Sequence, residues 1–280
     1  MNHIYNVVPQ KYDSRDYRLL SPTPQAVAVL PDKFDLRSLK IVPEIWDQGQ
    51  LGSCTANGNG AIFEIDRLKQ GYAPLNPSRL FIYYNERMEE GNIDSDYGAN
   101  VRTGIKVMNK YGVANEDIWA YDINQYKTKP PQNVYDDGAT RKVSTYTSVH
   151  QNINDICAAI YSGKGVVFGF QVFESFDSNS LSGVSGTGIM TIPQANEQSL
   201  GGHCVCAIGF EITKRGGKHG GFFGPLLDKI FGMPSMEGYI ICRNSWGTYW
   251  GLSGYFKMPF KFINNSVYCY DFWVVDAVDA

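Results

Sequence analysis

The feature of this sequence that most limits its fold is a change of hydrophobic rhythm near residue 164. Before it, apolar residues recur at helical spacing; after it, they gather in short runs broken by glycine. Ala61, Ile62, Ile65 and Leu68 share one helical face, with Ser53 placed as an N-cap and Gly71 as a stop. A helix is therefore expected from Ser53, with Cys54 in its first turn. Two more helices are expected, from Asn76-Pro77 to Gly91 and from Asn100 to Gly112. Strands are expected at Val166 to Phe170, Val205 to Ile212, Tyr239 to Cys242, Gly254 to Phe256 and Phe272 to Val275.

A helical half followed by a strand-rich half, with no alternation between them, argues for an α+β protein of two lobes. Residues 1–29 are polar and turn-rich and are expected to form an extended arm with no packed element of its own. The folded body is expected over 30–280, with a mainly helical lobe at about 30–140 and a mainly β lobe at about 141–280. Within the second lobe, 214–237 is glycine-rich and irregular and reads as an inserted surface loop with an apolar tip. At 280 residues and 43% hydrophobic content, the chain can bury one large domain or two small lobes around a cleft.

The net charge of −3, with scattered basic residues, leaves no electrostatic footprint for nucleic acid or an anionic membrane surface, so a polypeptide or small-molecule partner is expected. There is no apolar run of bilayer length, and the N-terminus lacks a cationic start followed by an apolar stretch. The expectation is a cytoplasmic or otherwise intracellular protein, packaging into a virion included. Cysteines at 54, 157, 204, 206, 242 and 269 form no CxxC pair and no disulfide framework, and are expected to be mostly reduced, with one reactive.

A free cysteine is by default a small core hydrophobe. Cys54 differs because a thiol at a helix N-terminus faces unsatisfied N–H groups and the positive end of the dipole, which favour the thiolate. A thiolate nucleophile needs an imidazole partner. His3 lies in the arm, and His150 and His219 sit in polar or glycine-rich surroundings. His203 follows Gly201-Gly202 and opens the apolar run Cys204 to Gly209, at the edge of a buried strand. A zinc site built from His203, Cys204 and Cys206 is the structural rival. Strand alternation puts the histidine on one face and both cysteines on the other, so no metal or other cofactor is expected.

The third element is Asn244-Ser245-Trp246-Gly247, a turn leaving a strand. Together with Gln48-Gly49-Gln50-Leu51-Gly52-Ser53-Cys54 and Gly201-Gly202-His203, it resembles the papain family of cysteine peptidases, nearest to its bacterial and viral branches. The resemblance covers roughly residues 30 to 280. Cys54 and His203 are 149 residues apart, within the family's range of about 130–150, and Cys54 and Asn244 are 190 apart, the excess matching the insertion at 214–237.

The resemblance implies a two-lobe fold with the site in the cleft between a helical and a β-barrel-like lobe, and hydrolysis of protein or peptide substrates by an endopeptidase. It also implies Cys54 as nucleophile, His203 as acid and base, Asn244 orienting the ring and Gln48 binding the oxyanion. Trp246 is expected to shield the Asn244–His203 bond, and Gly98 to pair with substrate backbone. Residues 1–29 are expected either to act as a short inhibitory propeptide, making the chain a zymogen, or merely to pack along the outside or stay disordered. Leu51 stands where many relatives carry a disulfide cysteine, and Thr55 where tryptophan is common. An inactive binding or storage protein and an acyltransferase are the competing readings; the presence of every expected catalytic residue disfavours the first, and the pocket decides the second.

Overall fold

In the computed structural model, which describes residues 4–177, 183–216 and 236–279, the centre is a helix buried on almost every side. This helix, α2 (Cys54–Lys69), has no exposed residue from Cys54 to Arg67. The apolar stripe read from the sequence accounts for only one of its faces. The other is made of small and polar residues, because α2 lies between a sheet and two further helices, α3 (Arg79–Glu90) and α4 (Val101–Lys110). Close seating on the sheet depends on Gly58, where a Cβ would come within 2.9 Å of both Cys204 Sγ and Val167 Cγ2.

The sheet is antiparallel throughout. Its strands β2 (Lys142–Ser148), β7 (Cys269–Asp279), β3 (Val166–Phe173), β4 (Ser199–Arg215), β5 (Met236–Arg243) and β6 (Tyr255–Pro259) lie side by side in that order. The short β1 (Lys33–Asp35) pairs with β4 around Phe210. The core runs along β3, β4 and β7, with Phe168 stacked on Phe272 at 4.8 Å and Phe170 and Trp273 buried beside them. The α+β expectation holds, with the long helices α2, α3 and α4 before strands β2 to β7 in sequence. Further helices are α5 (Gln132–Gly138) and α6 (Ile153–Tyr161), with short turns α7 (Glu174–Asp177), α8 (Val184–Thr187) and α9 (Phe260–Ile263).

Two readings of the sequence change. The arm before Leu30 does have an element of its own, the five-residue α1 (Pro24–Ala28), capped by Thr23 Oγ1 and anchored by buried Val27. It is also tied to the body at separate points, with Leu19 N bonded to Ser148 O at 2.8 Å and Val7 N to Gly202 O at 3.1 Å. The expected loop 214–237 begins later and ends sooner: Lys214 pairs with Glu237, and Arg215 with Met236, as strand residues. The apolar tip, Phe222 to Phe231, lies outside the described residues. Among the described residues, no helix is long and apolar enough to cross a membrane.

Phe168 is fully buried on the face of β3 turned away from α2, against Phe170 and Phe272. Phe168→Ala is expected to lower unfolding free energy by about 3–5 kcal/mol, through lost transfer energy plus a cavity, measurable by chemical denaturation.

Candidate active site

Cys54 opens α2, and its sulfur lies where three backbone amides converge. Hydrogen bonds from the amides of Cys204, Thr55 and Cys54 itself all favour a thiolate. Burial outweighs them and pushes the thiol up to about 12, since the residue is only 1% exposed. The sequence predicted an acidic thiol from the helix terminus; in the arm-covered molecule the predicted donors are present and desolvation wins over them. All six cysteines are free and buried.

Beside it, β4 carries His203, completely buried. Its Nε2 shares a hydrogen bond of 2.8 Å with Asn244 Oδ1, which also accepts the Ser245 N–H at 2.9 Å. Trp246 stacks on the imidazole at 4.8 Å and 28°, and Phe170 meets its edge at 5.7 Å. The ring is thus clamped on both sides and tied at one nitrogen. Among the described residues, no group of three or more histidine, cysteine or acidic side chains is arranged to hold a metal ion.

Gln48 reaches the same place from the loop before α2. That loop is paired to the Asn244 turn by backbone: Gln48 N donates to Ser245 O at 2.8 Å, and Gly247 N to Trp46 O at 3.1 Å. Ser245 Oγ donates to Gln48 Oε1 at 2.5 Å, while Gln48 Nε2 donates to Leu51 O at 2.9 Å. The amide's acceptor end is thereby occupied and its N–H end turned toward the nucleophile's loop. Sequence reasoning singled out Gln48 but missed Ser245 as its holder, although Ser245 stood within the motif. It also missed Asp96, whose carboxylate receives the Gly52 N–H at 3.1 and 3.0 Å.

A third supporting residue, Arg79, gave no sequence signal. Its guanidinium forms a two-pronged pair with Glu116, at 2.9 and 2.8 Å, and donates to Asp47 O at 3.2 Å and Asn57 Oδ1 at 3.3 Å. Tyr121, stacked on that guanidinium, shares a bond with Ser53 Oγ and donates to Gln48 O at 3.0 Å.

The arm lies across this constellation. Tyr5 presents its ring edge to His203 at 6.2 Å and also touches Trp246, and its hydroxyl donates to Asp177. Asn6 bridges to Gly202 in the parallel sense and donates from its side chain to Asp96 O at 2.8 Å. The glycines of the Gly-Gly-His motif are what permit the approach, since a Cβ on Gly201 would lie 2.2 Å from Tyr5 O and one on Gly202 1.8 Å from Val7 O. Gly98, at φ +70°, faces Asn6 from the other wall.

A cysteine at a helix start and a histidine on a facing strand, its ring tied to an asparagine, together define a thiol-peptidase site. The model of the papain family cysteine protease matches residues 30–269, and the chain belongs to that family. It is 42% identical over 257 residues to the uncharacterized peptidase C1-like protein L477 of Acanthamoeba polyphaga mimivirus, covering 88% of this chain and 74% of that one. Xylellain, a cysteine protease from Xylella fastidiosa, superposes with a TM-score of 0.79 at 34% identity, over 97% of this chain and 95% of that one. Digestive procathepsin L 3 of Tenebrio molitor shares the fold, with a TM-score of 0.62 at 20% identity over 92% and 74% of the two chains. The resemblance to the viral and bacterial branches therefore holds.

Arg79 is 6% exposed and ties Glu116 to the Gln48 loop. Arg79→Met is expected to cost about 3 kcal/mol, because it leaves a mostly buried carboxylate without its partner. Urea denaturation checks the loss, which Arg79→Lys should only partly restore.

Proposed function

We propose that the chain is an endopeptidase in which Cys54, His203, Asn244 and Gln48 carry the reaction. The observation that carries this reading is the 2.8 Å bond between His203 Nε2 and Asn244 Oδ1, which orients the imidazole on the strand whose next residue, Cys204, gives its backbone N–H to the Cys54 sulfur. In the working state, the Cys54 thiolate attacks the scissile carbonyl while the imidazolium at His203 protonates the departing amine, leaving a thioester. His203 then takes a proton from water, which attacks the thioester and releases the acid. The developing oxyanion is met by Gln48 Nε2 and the backbone N–H of Cys54, donors aimed at charge that exists only in the transition state. Trp246 keeps water from the His203–Asn244 bond, and Gly98 offers its wall to substrate backbone.

The arm, residues 1–29, acts as an intramolecular inhibitor, with 30–280 as the peptidase domain. Support comes from Tyr5 against His203, Asn6 between Gly98 and Gly202, and the neutral, desolvated thiol beneath. The family model's match from residue 30 agrees with that division.

Cys54→Ala and His203→Ala are expected to abolish peptide hydrolysis, and Asn244→Ala to leave a reduced rate. Gln48→Ala is expected to cost on the order of 10²–10³ in kcat. Wild-type turnover by the Cys54 variant in a mass-spectrometric peptide-library assay would remove the mechanism; products cut only at chain ends would remove the endopeptidase reading.

A form beginning at Leu30 is expected to alkylate faster at Cys54 and hydrolyse peptides faster per titrated site than the full chain. Equal rates with both forms folded would end the inhibitory role of the arm.

A further inference from the structure

Between α2, α3 and α4 lies a carboxyl group that the peptidase chemistry does not use. Glu86, on α3, is completely buried. Its Oε2 is 2.7 Å from Thr55 Oγ1, on the residue that follows the nucleophile, and its Oε1 is 3.5 Å from Asn59 Nδ2. The space around it is kept open by Gly104 on α4, where a Cβ would lie 2.2 Å from Glu86 Oε1 and 1.9 Å from Asn59 Nδ2.

The charged and titratable groups around it are engaged elsewhere or are thiols. On α3, Arg87 donates to the carbonyls of Ile93, Ser95 and Tyr126, and Glu90 accepts from Asn100. On α4, Arg102 pairs with Asp16 of the arm and Lys106 is exposed. From α2 and β4 the neighbours are the thiols of Cys54 and Cys204. Glu86 thus has neutral hydrogen-bond partners and no ion-pair partner among the described residues.

We propose that Glu86 is a positioning residue for the nucleophile: as a neutral carboxylic acid it anchors Thr55, and with it the first turn of α2, and it keeps negative charge from forming beside the Cys54 sulfur. The contact with Thr55 suits either direction of donation, so the neutral acid gives its proton to Oγ1 without rearrangement. Burial pushes Glu86 up to about 8, against the bonds from Thr55 and Asn59. Its charge, once formed, is among the influences that raise the Cys54 thiol. Above that range the ionised carboxylate disfavours the thiolate, so reactivity falls for a reason separate from the titration of His203. This inference rests on Cys54 being the nucleophile.

The test compares full-length wild type, Glu86→Gln and Thr55→Val from pH 6 to 10. Two rates are followed: carboxamidomethylation of Cys54 by iodoacetamide, read by mass spectrometry, and kcat/KM for a peptide substrate. Wild type is expected to show an inflection near pH 8, above which both rates drop about three- to tenfold below a curve without that ionisation. Glu86→Gln should lack the inflection. Thr55→Val, which removes the hydrogen-bond partner of Oε2 in both protonation states, should shift it. Infrared difference spectra near pH 7 should contain a neutral-carboxyl band that Glu86→Gln loses.

Superimposable profiles of wild type and Glu86→Gln, or an ionised Glu86 at pH 7, would overturn the proposal. If Glu86→Gln does not fold, an inflection that stays in place in Thr55→Val overturns it instead. An alkylation inflection that moves as expected, in a protein without peptidase activity, would uphold Glu86 and refute the endopeptidase reading.

Discussion

Everything at the cleft depends on how deeply α2 is buried. A helix enclosed by a sheet on one side and by α3 and α4 on the other cannot tilt or slide without opening a cavity or a clash. Its first residue is therefore held to the position that the core dictates. Gly58 sets the distance to the sheet and Gly104 the distance to α4, so the place of Cys54 is decided by two residues that carry no side chain. The polar residues on α2 are the cost of such enclosure: Thr55 and Asn59 are met from α3 and α4, by Glu86 Oε2 at 2.7 Å and Val101 O at 3.1 Å, and Asn57 from the N-cap of its own helix, by Ser53 O at 2.9 Å.

The walls of the cleft are tied together in a second way. Backbone bonds between the Gln48 loop and the Asn244 turn join two segments nearly two hundred residues apart, and the Ser245–Gln48 bond extends that tie to the side chain. The group that orients the imidazole and the group that turns an amide toward the nucleophile are thus adjacent residues, Asn244 and Ser245. Displacement of that turn would disturb both at once, which makes the loop from Arg243 to Gly254 a single mechanical part.

Much of this was legible in the sequence, for identifiable reasons. The start of α2 was readable from its apolar stripe and from Ser53 at the N-cap position, although Ser53 makes no side-chain capping bond there. Strands β3, β4 and β5 were readable from short apolar runs, since both signals are local. The edge strand β2 was not: Lys142–Ser148 is largely polar, with only Val143 fully buried, so its pairing with β7 leaves no alternation strong enough to read. Helix α6 was missed although Ile153, Ile156, Cys157 and Ile160 stand at helical spacing, because a stripe of only nine residues set next to a strand-rich half is too short to stand out. Among site residues, motif spacing reached Cys54, His203, Asn244 and Gln48. Asp96, Arg79 and Glu86 are defined by what they touch across 22 to 44 residues of chain, and no local pattern announces them.

The contact of Val7 and Asn6 with Gly202 has one more consequence. If this segment acts as the proposed inhibitor, it covers the site by a unimolecular equilibrium, which dilution does not shift. A peptide arriving from solution would then compete with a segment tethered to the same molecule. The covered fraction is then a property of the molecule alone, set by the linkage through residues 8–29 and unchanged by how much of the protein is present.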